Sequence, residues 1–324
     1  MRVAISGASG IVGRAIEAAL KGQNATVLRL VRQPARQSAG NPDELRWDPT
    51  APNGGFERPG ALEGLSAVVH LSGAPVAGRR WTAKYKEQIR ASRVGSTRVL
   101  AEALARLERR PEVLLTASAV GYYGDRGDEI LDEDSAAGTG FLPEVCSAWE
   151  AAARPAQEAG IRVVHLRFGV VLGGRGGALS QMLPLFRLGL GGKLGSGRQW
   201  MSWVSEADVA GAALFALNVG GSDQGRAAGA TRPALSSSVR LSGPVNMVGP
   251  LAVTNAEFTR ELGRALHRPA ILPAPAFALR LAFGEMADEA LLASERVRPK
   301  RLLEAGFVFR HATLAEALAA ALAK

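Results

Sequence analysis

A glycine-rich turn close to the start of the chain constrains the fold more than any other part of the sequence. Gly7, Gly10 and Gly13 have the spacing G-x-x-G-x-x-G, after an apolar run at 2–6 and before a helical pattern at 11–20. Glycines let the backbone turn sharply and approach a pyrophosphate, whose charge the amides and dipole of the helix N-terminus stabilise. Six residues are predicted to form this site: Gly7, Ser9, Gly10, Ile11, Val12 and Gly13.

Strand and helix patterns alternate after this turn. A second strand pattern at 25–31 completes a βαβ unit, which favours dinucleotide binding over an ordinary tight βα turn. Further strands are predicted at 67–71, 113–117 and 161–168, and helices at about 82–109 and 142–158. Such alternation implies a parallel sheet with helices on both faces. The predicted fold class is therefore α/β, a Rossmann-like doubly wound parallel sheet with a smaller, mostly helical C-terminal lobe.

Arg32 follows the second strand, where enzymes that use NAD usually carry an acidic residue for the ribose hydroxyl. A guanidinium matches a 2′-phosphate in charge and in the geometry of its donors. The predicted cofactor is therefore NADP(H). Two alternatives remain open, that Arg29 or Arg36 makes this contact and that Arg32 is a solvated loop residue.

The same patterns divide the chain into two parts. Residues 1–170 are predicted to form the NADP-binding Rossmann-like core, and residues 171–324 to complete the core and form the C-terminal substrate lobe. A stretch at about 220–242 contains mostly small and polar residues and is predicted to be a flexible surface insertion.

Composition excludes several classes of protein. The single cysteine, Cys146, cannot form a disulfide within the chain and fits a reducing, cytoplasmic compartment. The four histidines are scattered, so no metal site is expected. No signal peptide or membrane span is expected, because the most apolar stretch, 270–283, is short and contains Pro273 and Pro275.

The 39 Lys and Arg residues outnumber the 30 Asp and Glu residues and give a net charge of +9. This charge is compatible with an anionic partner. Basic residues are spread along the chain between acidic ones, without a basic run, which favours a solvated surface over a nucleic-acid interface. The expected partner is a small-molecule substrate, with no nucleic acid and no membrane.

The glycine turn, Arg32 and several later segments resemble the extended short-chain dehydrogenase/reductase superfamily. The greatest similarity is to its atypical branch of nucleoside-diphosphate-sugar epimerase-like proteins, the YfcH-like group. The segments that carry the resemblance are 70–74 (HLSGA), 81–93, 118–124 (SAVGYYG), 167–173 (RFGVVLG), 189–200, 253–258 (VTNAEF) and 298–302 (RPKRL).

The resemblance implies further residues at the cofactor. In that fold the segment after the fourth strand passes the adenosine and pyrophosphate, which implies contacts from His70, Leu71, Ser72 and Gly73. For Ser72, a simple turn at the strand end is the alternative. Arg93, on the next helix, and Val171, after the sixth strand, would also face the cofactor.

The catalytic pair of that superfamily is missing. Its members usually combine Ser or Thr at the end of the fifth strand with Tyr-x-x-x-Lys on the next helix, which together transfer the proton. Ser118 matches the first residue, but Leu142 and Cys146 occupy the other two positions. No Tyr or Lys lies between Tyr123 and Lys193, so a shifted alignment does not restore the pair.

Two neighbouring tyrosines could replace the missing acid. Tyr122 and Tyr123 lie a few residues after Ser118, and together these three are the candidate catalytic residues. The alternative is that the two rings only pack the loop. Cys146 is predicted to be an inert buried thiol, because no His or Lys lies near it in sequence to produce a thiolate.

A later loop is the candidate substrate contact. Arg198 could pair with a phosphate or carboxylate, Gln199 offers directional hydrogen bonds, and Trp200 could stack on a ring. Packing between the two lobes is the competing interpretation for the tryptophans Trp200 and Trp203. Ser205 stands where relatives commonly have a histidine.

These features predict an NADP(H)-dependent oxidoreductase or nucleotide-sugar epimerase that acts on a small polar substrate. The alternative is an NADPH-binding sensor or regulatory protein with weak catalysis, which the missing Tyr-Lys pair favours. A nucleic-acid binder is disfavoured by the absence of a basic cluster.

Overall fold

The structure is a computed structural model that describes residues 1–32, 41–51, 55–77, 79–219 and 240–323. Arg36 lies outside the described residues, as does residue range 220–239, which is most of the predicted insertion.

The described residues contain thirteen strands and eleven α-helices. The strands are β1 (Arg2–Ser6), β2 (Thr26–Val31), β3 (Glu44–Arg46), β4 (Ala67–His70), β5 (Val113–Ala119), β6 (Ile130–Leu131), β7 (Arg162–Phe168), β8 (Val170–Leu172), β9 (Trp200–Met201), β10 (Trp203–Ser205), β11 (Gly243–Met247), β12 (Val253–Thr254) and β13 (Arg296–Val297). The helices are α1 (Ile11–Gly22), α2 (Ala83–Arg90), α3 (Ser96–Ala105), α4 (Phe141–Ala151), α5 (Arg154–Glu158), α6 (Gly177–Arg187), α7 (Glu206–Ala216), α8 (Asn255–Leu266), α9 (Ala276–Phe283), α10 (Lys300–Glu304) and α11 (Leu314–Leu322).

Seven parallel strands form the central sheet in the order β11-β7-β5-β4-β1-β2-β3. The chain builds outward from β1 to β3 on one side and then continues from β4 on the other side. The strand order therefore reverses between β1 and β4, and in open α/β sheets ligands bind outside the carboxyl ends of the strands at this reversal. The predicted α/β, Rossmann-like fold is confirmed.

Each face of the sheet packs against its own set of helices. In β1, Val3 and Ile5 pack with α1 and α7, whereas Ala4 points to the opposite face and packs with α3. This alternation follows from the two-residue period of a strand. All three side chains are fully buried, as expected for a parallel strand that is covered on both faces.

The predicted elements of the first half are present with adjusted ends. The helix predicted over about 82–109 consists of α2 and α3, joined by a π-helical turn at Ala91–Gly95. The helix predicted over 142–158 is divided into α4 and α5. The outer strands β3 and β11 were not predicted from the sequence.

A smaller lobe, formed by the helices α8, α9 and α11, follows the central sheet, whereas α10 packs into the core with Leu302 against β11. Capping boxes begin two helices of this lobe, with Thr254 and Glu257 at α8 and Thr313 and Glu316 at α11. Three short two-stranded sheets connect the lobe with the core: β8 with β10, β9 with β12, and β6 with β13. The lobe therefore lies over the carboxyl ends of β5 and β7.

Candidate functional site

The glycine turn, residues 7–13, lies at the carboxyl end of β1. Gly7 has a φ of +72°, and a Cβ atom at this residue would lie 2.8 Å from the carbonyl carbon and oxygen of Leu71. A Cβ atom at Gly13 would lie only 2.3 Å from the carbonyl oxygen of Gly7. Only glycine therefore fits at these two positions, which keep the ends of β1 and β4 and the start of α1 in close contact.

The first turn of α1 is open to a ligand. Gly10 is the N-cap and supplies no capping side chain, and the first turn contains no acidic residue. The initial amide groups of a helix have no partners within the helix, and its N-terminus carries partial positive charge. The predicted pyrophosphate site at Ile11, Val12 and Gly13 has the geometry that it requires.

Arg32 is exposed at the carboxyl end of β2, next to the glycine turn in the sheet order. Among the residues that the structure describes, its guanidinium forms no hydrogen bond or ion pair. Arg29, the alternative, is held by Glu17, with Nη2 2.7 Å and Nε 3.0 Å from Glu17 Oε1. Of the two arginines Arg29 and Arg32, Arg32 is therefore the one that is free to meet a 2′-phosphate.

Arg93 lies beside the end of β4, where Gly73 leaves room for it. A Cβ atom at Gly73 would lie 3.3 Å from Arg93 Cζ. Arg93 belongs to the π-helical turn at Ala91–Gly95, and such turns frequently occur at functional sites. Burial lowers the pKa of its guanidinium, which lies 5.1 Å from the Trp149 ring and pairs with no carboxylate in the described ranges. A partly buried cation without a counter-ion is suited to bind an anion.

The His70 side chain corrects one predicted contact. The ring is fully buried in the sheet, with Nδ1 2.6 Å from Ser6 Oγ and Nε2 3.1 Å from Ser96 Oγ. Burial lowers the pKa of His70 to about 4, so the ring is neutral at physiological pH. Because both nitrogens already have partners in the core, this side chain is not part of the cofactor cradle; Leu71, Ser72 and Gly73 follow it at the strand end and are partly or fully exposed.

Val171 lies in β8, which runs close to the start of α1. A Cβ atom at Gly173 would lie 2.6 Å from Ile11 Cδ1, so the end of β8 touches the glycine turn. Val171 is partly exposed. Its predicted position near the cofactor is compatible with this geometry.

Ser118 lies near the carboxyl end of β5, Tyr122 follows that strand, and Leu142 and Cys146 lie on α4. We call these four residues the reaction end. Ser118 Oγ donates a hydrogen bond to Glu150 Oε1 at 2.7 Å. Glu150 also accepts two hydrogen bonds from Arg167, at 2.7 and 2.8 Å. Burial disfavours the charged guanidinium, but the hydrogen bonds to Glu150 outweigh it and raise the pKa of Arg167. This charged pair holds Ser118 in place, and the sequence analysis did not identify it.

The two tyrosines have different environments. Tyr123 is 0% exposed, and its hydroxyl accepts a hydrogen bond from Arg167 Nη1 at 2.9 Å and donates one to Asn246 Oδ1 at 2.8 Å. Burial raises the pKa of Tyr123 to about 12. Tyr123 therefore has a structural role, contrary to its prediction as a catalytic candidate.

Tyr122 is only half-buried, and its ring stacks on Arg167 with Cζ 3.5 Å from the ring centroid. Its hydroxyl forms no hydrogen bond with any residue that the structure describes. Of the two phenols, Tyr122 is the one that remains available to a ligand.

Leu142 and Cys146 are packed into the protein. Leu142 contacts the loop, since a Cβ atom at Gly121 would lie 3.3 Å from Leu142 Cβ. Cys146 is buried as predicted, and burial, followed by the negative charge of Glu150, raises the pKa of its thiol to about 12. Neither the proton donor nor the cation of the usual pair is therefore present at these positions.

The candidate substrate loop is mostly engaged within the protein. Gln199 is buried, and its Nε2 donates to the carbonyl oxygens of Leu194 at 3.0 Å and Leu291 at 3.2 Å. Trp200 Nε1 donates to Asp128 Oδ1 at 2.7 Å. The contacts of Gln199 correct its predicted substrate role. Trp200 is held at its indole nitrogen but keeps a partly exposed ring, so its predicted stacking on a substrate stays a prediction. Arg198 is exposed and remains available.

Glu295 is a residue that the sequence analysis missed. It immediately precedes β13 in the C-terminal lobe, and its side chain is partly exposed. Burial, with a smaller contribution from the Asp125 carboxylate, raises the pKa of Glu295 to about 8. No spacing rule could have found it, because its environment is created by chain segments that are far apart in sequence.

Neither a metal cluster nor a membrane-spanning helix occurs in the described ranges. They contain no group of three or more His, Cys, Asp or Glu side chains that could hold a metal ion. None of the helices described in this structure has the length and apolar character that crossing a membrane requires.

Comparison with sequence families identifies two matching regions. Residues 3–227, more than half of the chain, match the NAD dependent epimerase/dehydratase family. Residues 274–321 match a domain of unknown function, DUF1731, which covers α9 to α11 and the residues around Glu295.

Similar proteins cover nearly the whole chain. The epimerase family protein MT2273 of Mycobacterium tuberculosis is 47% identical over 316 residues, which are 98% of this chain and 96% of that protein. The crystal structure of human epimerase family protein SDR39U1 (isoform 2) with NADPH superposes with a TM-score of 0.85 at 31% identity, covering 100% of this chain and 99% of that one. The crystal structure of a nucleoside-diphosphate sugar epimerase from Corynebacterium glutamicum superposes with a TM-score of 0.74 at 35% identity. The match covers 99% of this chain and 58% of that one.

Proposed function

This chain belongs to the NAD dependent epimerase/dehydratase family, and on that premise we propose that it is an NADP(H)-dependent oxidoreductase or nucleotide-sugar epimerase that acts on a small polar substrate. The observation that supports it most is the cradle between the ends of β1, β2 and β4. There, glycines allow close backbone approach while Arg32 and Arg93 supply positive charge. Neither guanidinium forms a salt bridge with a described carboxylate, and the charge of Arg32 acts on nearby Asp48.

The cradle fits NADPH in particular. The 2′-phosphate distinguishes NADPH from NADH, and Arg32 stands where a carboxylate would favour NADH. The amides of α1 are suited to the pyrophosphate, with Arg93 close to the same end of the sheet. The human relative whose structure contains NADPH supports this assignment. When bound, NADPH supplies a hydride.

The residues of this chain would hold the other reactant. Tyr122 presents a partly exposed phenol near the carboxyl end of β5, and Ser118, which is 2% exposed and donates its hydroxyl to Glu150, would have to exchange that hydrogen bond to contact the substrate. Arg198 is suited to the phosphate or carboxylate of a small polar substrate. The name of the Corynebacterium relative supports a nucleotide sugar. The single buried thiol is compatible with a cytoplasmic location, which we include in the proposal together with a small-molecule partner instead of a nucleic acid.

One observation favours a second function. Leu142 and Cys146 replace the tyrosine and lysine of the usual pair, and both are packed against the protein. A protein that binds NADPH at such a site without efficient catalysis would act as a sensor of the reduced cofactor.

The test combines binding with turnover. NADPH is titrated by fluorescence, and its consumption is followed with a panel of small aldehydes and ketones, with deuterium at C4 of the nicotinamide to trace hydride transfer. In parallel, the protein with NADP⁺ is incubated with UDP-glucose, because an epimerase first transfers a hydride from the sugar to NADP⁺ and then returns it, and formation of the 4-epimer also supports the enzyme. Binding with stereospecific transfer of deuterium supports the enzyme. Binding without consumption or transfer supports the sensor, and failure to bind NADPH at millimolar concentration refutes both.

A further inference from the structure

A cavity in the C-terminal lobe belongs to none of the sites described above. It lies between α8 and the segment 268–273 and has a volume of about 810 Å³. Small-molecule sites typically have volumes of about 300–1,000 Å³. α8 lines the cavity with one face and packs Phe258 and Leu262, on its opposite face, into the core of the lobe. The lining shares no residue with the cofactor cradle or the reaction end, so the cavity is a separate feature of the fold.

The wall of this cavity is positively charged. Four basic side chains line it: Lys193, Arg260, Arg264 and Arg268. None of the acidic side chains that the structure describes lines it, although Glu261, next to the cavity on α8, pairs with Arg264 at 2.8 Å and lies 3.8 Å from Arg260. Four cations against this one carboxylate leave a net charge of +3. Lys193 forms no hydrogen bond or ion pair within the described ranges, so the wall has positive charge available for an anion.

The remaining wall is largely aliphatic and continues onto the surface. Ile271 lines the cavity and is 77% exposed, and Leu188 and Leu190 are exposed beside it. Gly189 connects this surface with the cavity, since a Cβ atom there would lie 3.5 Å from Cγ of Pro269 in the wall. Covering exposed aliphatic groups is favourable. The described wall contains no Phe, Tyr or Trp on which an aromatic base could stack, so an aliphatic ligand fits it better.

One buried polar group in the wall has no partner. Thr259, on α8, is 4% exposed, and its hydroxyl forms no hydrogen bond with any residue that the structure describes. A buried hydroxyl without a partner costs free energy, which an acceptor on a ligand would recover. A phosphate monoester carries nearly two negative charges at neutral pH and three acceptor oxygens. Phosphate therefore matches the charge of the wall and this free donor better than a singly charged carboxylate does.

We propose that this cavity binds a phosphate monoester with an aliphatic body, independently of the cofactor. The basic side chains hold the phosphate, and the aliphatic body covers the apolar wall and Ile271. The protein thus has a ligand site of its own in the C-terminal lobe, in which neither the glycine turn nor the reaction end takes part.

Calorimetric titration of the full chain with octyl phosphate, below its critical micelle concentration, tests this proposal. Inorganic phosphate has the charge without the chain, and 1-octanol has the chain without the charge. We expect one molecule of octyl phosphate to bind per chain, at least about tenfold more tightly than either fragment. Octyl phosphate that binds no more tightly than inorganic phosphate or 1-octanol, or that shows no saturable binding, overturns the proposal.

Variants locate the binding at the cavity. Lys193→Gln combined with Arg260→Gln removes two charges from the wall and should weaken octyl phosphate binding about 10- to 100-fold. Arg106→Gln, an exposed change at the end of α3, should leave it unchanged. Thr259→Val keeps the shape of the side chain and should weaken binding about three- to tenfold without lowering the Tm, because the hydroxyl has no hydrogen bond to lose. Unaltered affinity in the double variant overturns the proposal.

Two further measurements separate this proposal from its alternatives. Co-sedimentation with phosphatidylglycerol vesicles in the absence of saturable octyl phosphate binding would assign the cavity to a membrane surface and overturn the proposal. NADPH binding, measured by fluorescence, should be the same in the unmodified protein and in the double variant. Failure to bind octyl phosphate therefore leaves the proposed NADP(H)-dependent function intact, and failure to bind NADPH leaves the result for the cavity intact.

Discussion

The glycine turn and the reaction end lie at the carboxyl edge of the same sheet, yet the chain builds them in different ways. The glycine turn is formed by seven consecutive residues, and its essential feature is the absence of side chains at Gly7 and Gly13. The reaction end combines residues of β5 and α4, and Arg167 of β7 holds it in place through Glu150. The first region depends on backbone approach, and the second depends on which distant side chains meet.

This difference determines how each region tolerates change. Adding a side-chain atom at Gly7 or Gly13 disrupts the close backbone contacts, because moving the neighbouring carbonyl groups costs free energy. A network of buried polar side chains fails when an atom is removed, because the remaining partner is left without compensation. The glycine turn should therefore be sensitive to substitutions that add atoms, and the reaction end to substitutions that remove polar atoms.

The largest effect is expected for Arg167→Met. The substitution leaves the Glu150 carboxylate without the two hydrogen bonds from Arg167 and the hydroxyl of Tyr123 without a donor. Breaking a buried ion pair in this way is expected to lower the free energy of unfolding by about 3–5 kcal/mol, measured by urea denaturation.

The same experiment has a built-in control. Arg264→Met removes an exposed pair with Glu261 and should cost less than about 1 kcal/mol. In the double variant Glu150→Gln with Arg167→Met, the loss should be smaller than the sum of the two single losses, because the second change removes the stranded charge. Strictly additive losses would contradict a coupled pair.

Gly7→Ala tests the glycine turn. The new Cβ atom would lie 2.8 Å from the Leu71 backbone, and the residue would have to keep a φ of +72°. The expected cost is about 3 kcal/mol in unfolding free energy, from the left-handed conformation together with the overpacking. NADPH binding, measured by fluorescence, should be weakened in parallel. Gly22→Ala, at the end of α1 with no atom within 4 Å of the new Cβ, should be neutral or slightly stabilising.

Arg32→Asp tests the charge beside the glycine turn. Loss of charge-assisted hydrogen bonds to the 2′-phosphate should weaken NADPH binding by about 1.5–3 kcal/mol, or roughly 10- to 100-fold. The affinity for NADH, which lacks this phosphate, should change far less. Arg106→Asp makes the same change of charge at the exposed C-terminal end of α3 and should affect the binding of neither cofactor. Equal losses for NADPH and NADH would show that Arg32 does not recognise the phosphate.

The comparison also explains what the sequence could predict about the fold. The βαβ unit is contiguous, and its central strand is buried on both faces, so its apolar residues and glycines carry the signal. Within the central sheet, the two strands that the sequence pattern does not predict, β3 and β11, lie at the outer edges. β11 includes Gly243, Pro244 and Asn246, which an edge strand tolerates but which interrupt an apolar pattern.

The same reasoning applies to the site. Arg32 and the glycines could be predicted from the sequence because their positions depend only on their distance from β1 along the chain. His70 and Gln199 were assigned to ligands, but partners from distant segments hold them inside the protein. Nothing adjacent in sequence could indicate those partners, and the same limit hid Glu295.

Glu295→Gln is expected to have a moderate effect whose size depends on pH. The pKa of Glu295 is raised in the folded protein to about 8, so its contribution to stability is complete below the unfolded value near 4.5 and is lost as the pH rises to about 8. At pH 8 the variant should therefore be more stable than the unmodified protein by about 1–2 kcal/mol, less than the full shift implies because the side chain is partly exposed. At pH 4.5 the two should be equal in urea denaturation, and a difference that does not vary with pH would contradict the raised pKa.

The smallest effect on stability is expected for Tyr122→Phe, and its contrast with Tyr123→Phe separates the two phenols. Removal of the Tyr123 hydroxyl leaves Arg167 and Asn246 each without a buried partner and should cost about 1–3 kcal/mol. Removal of the Tyr122 hydroxyl breaks no hydrogen bond with a described residue, and the ring still stacks on Arg167, so the change should stay within about 0.5 kcal/mol. Loss of turnover without loss of stability in Tyr122→Phe would then place that phenol beside the substrate, whereas a large loss of stability would mean that its hydroxyl belongs to the buried network.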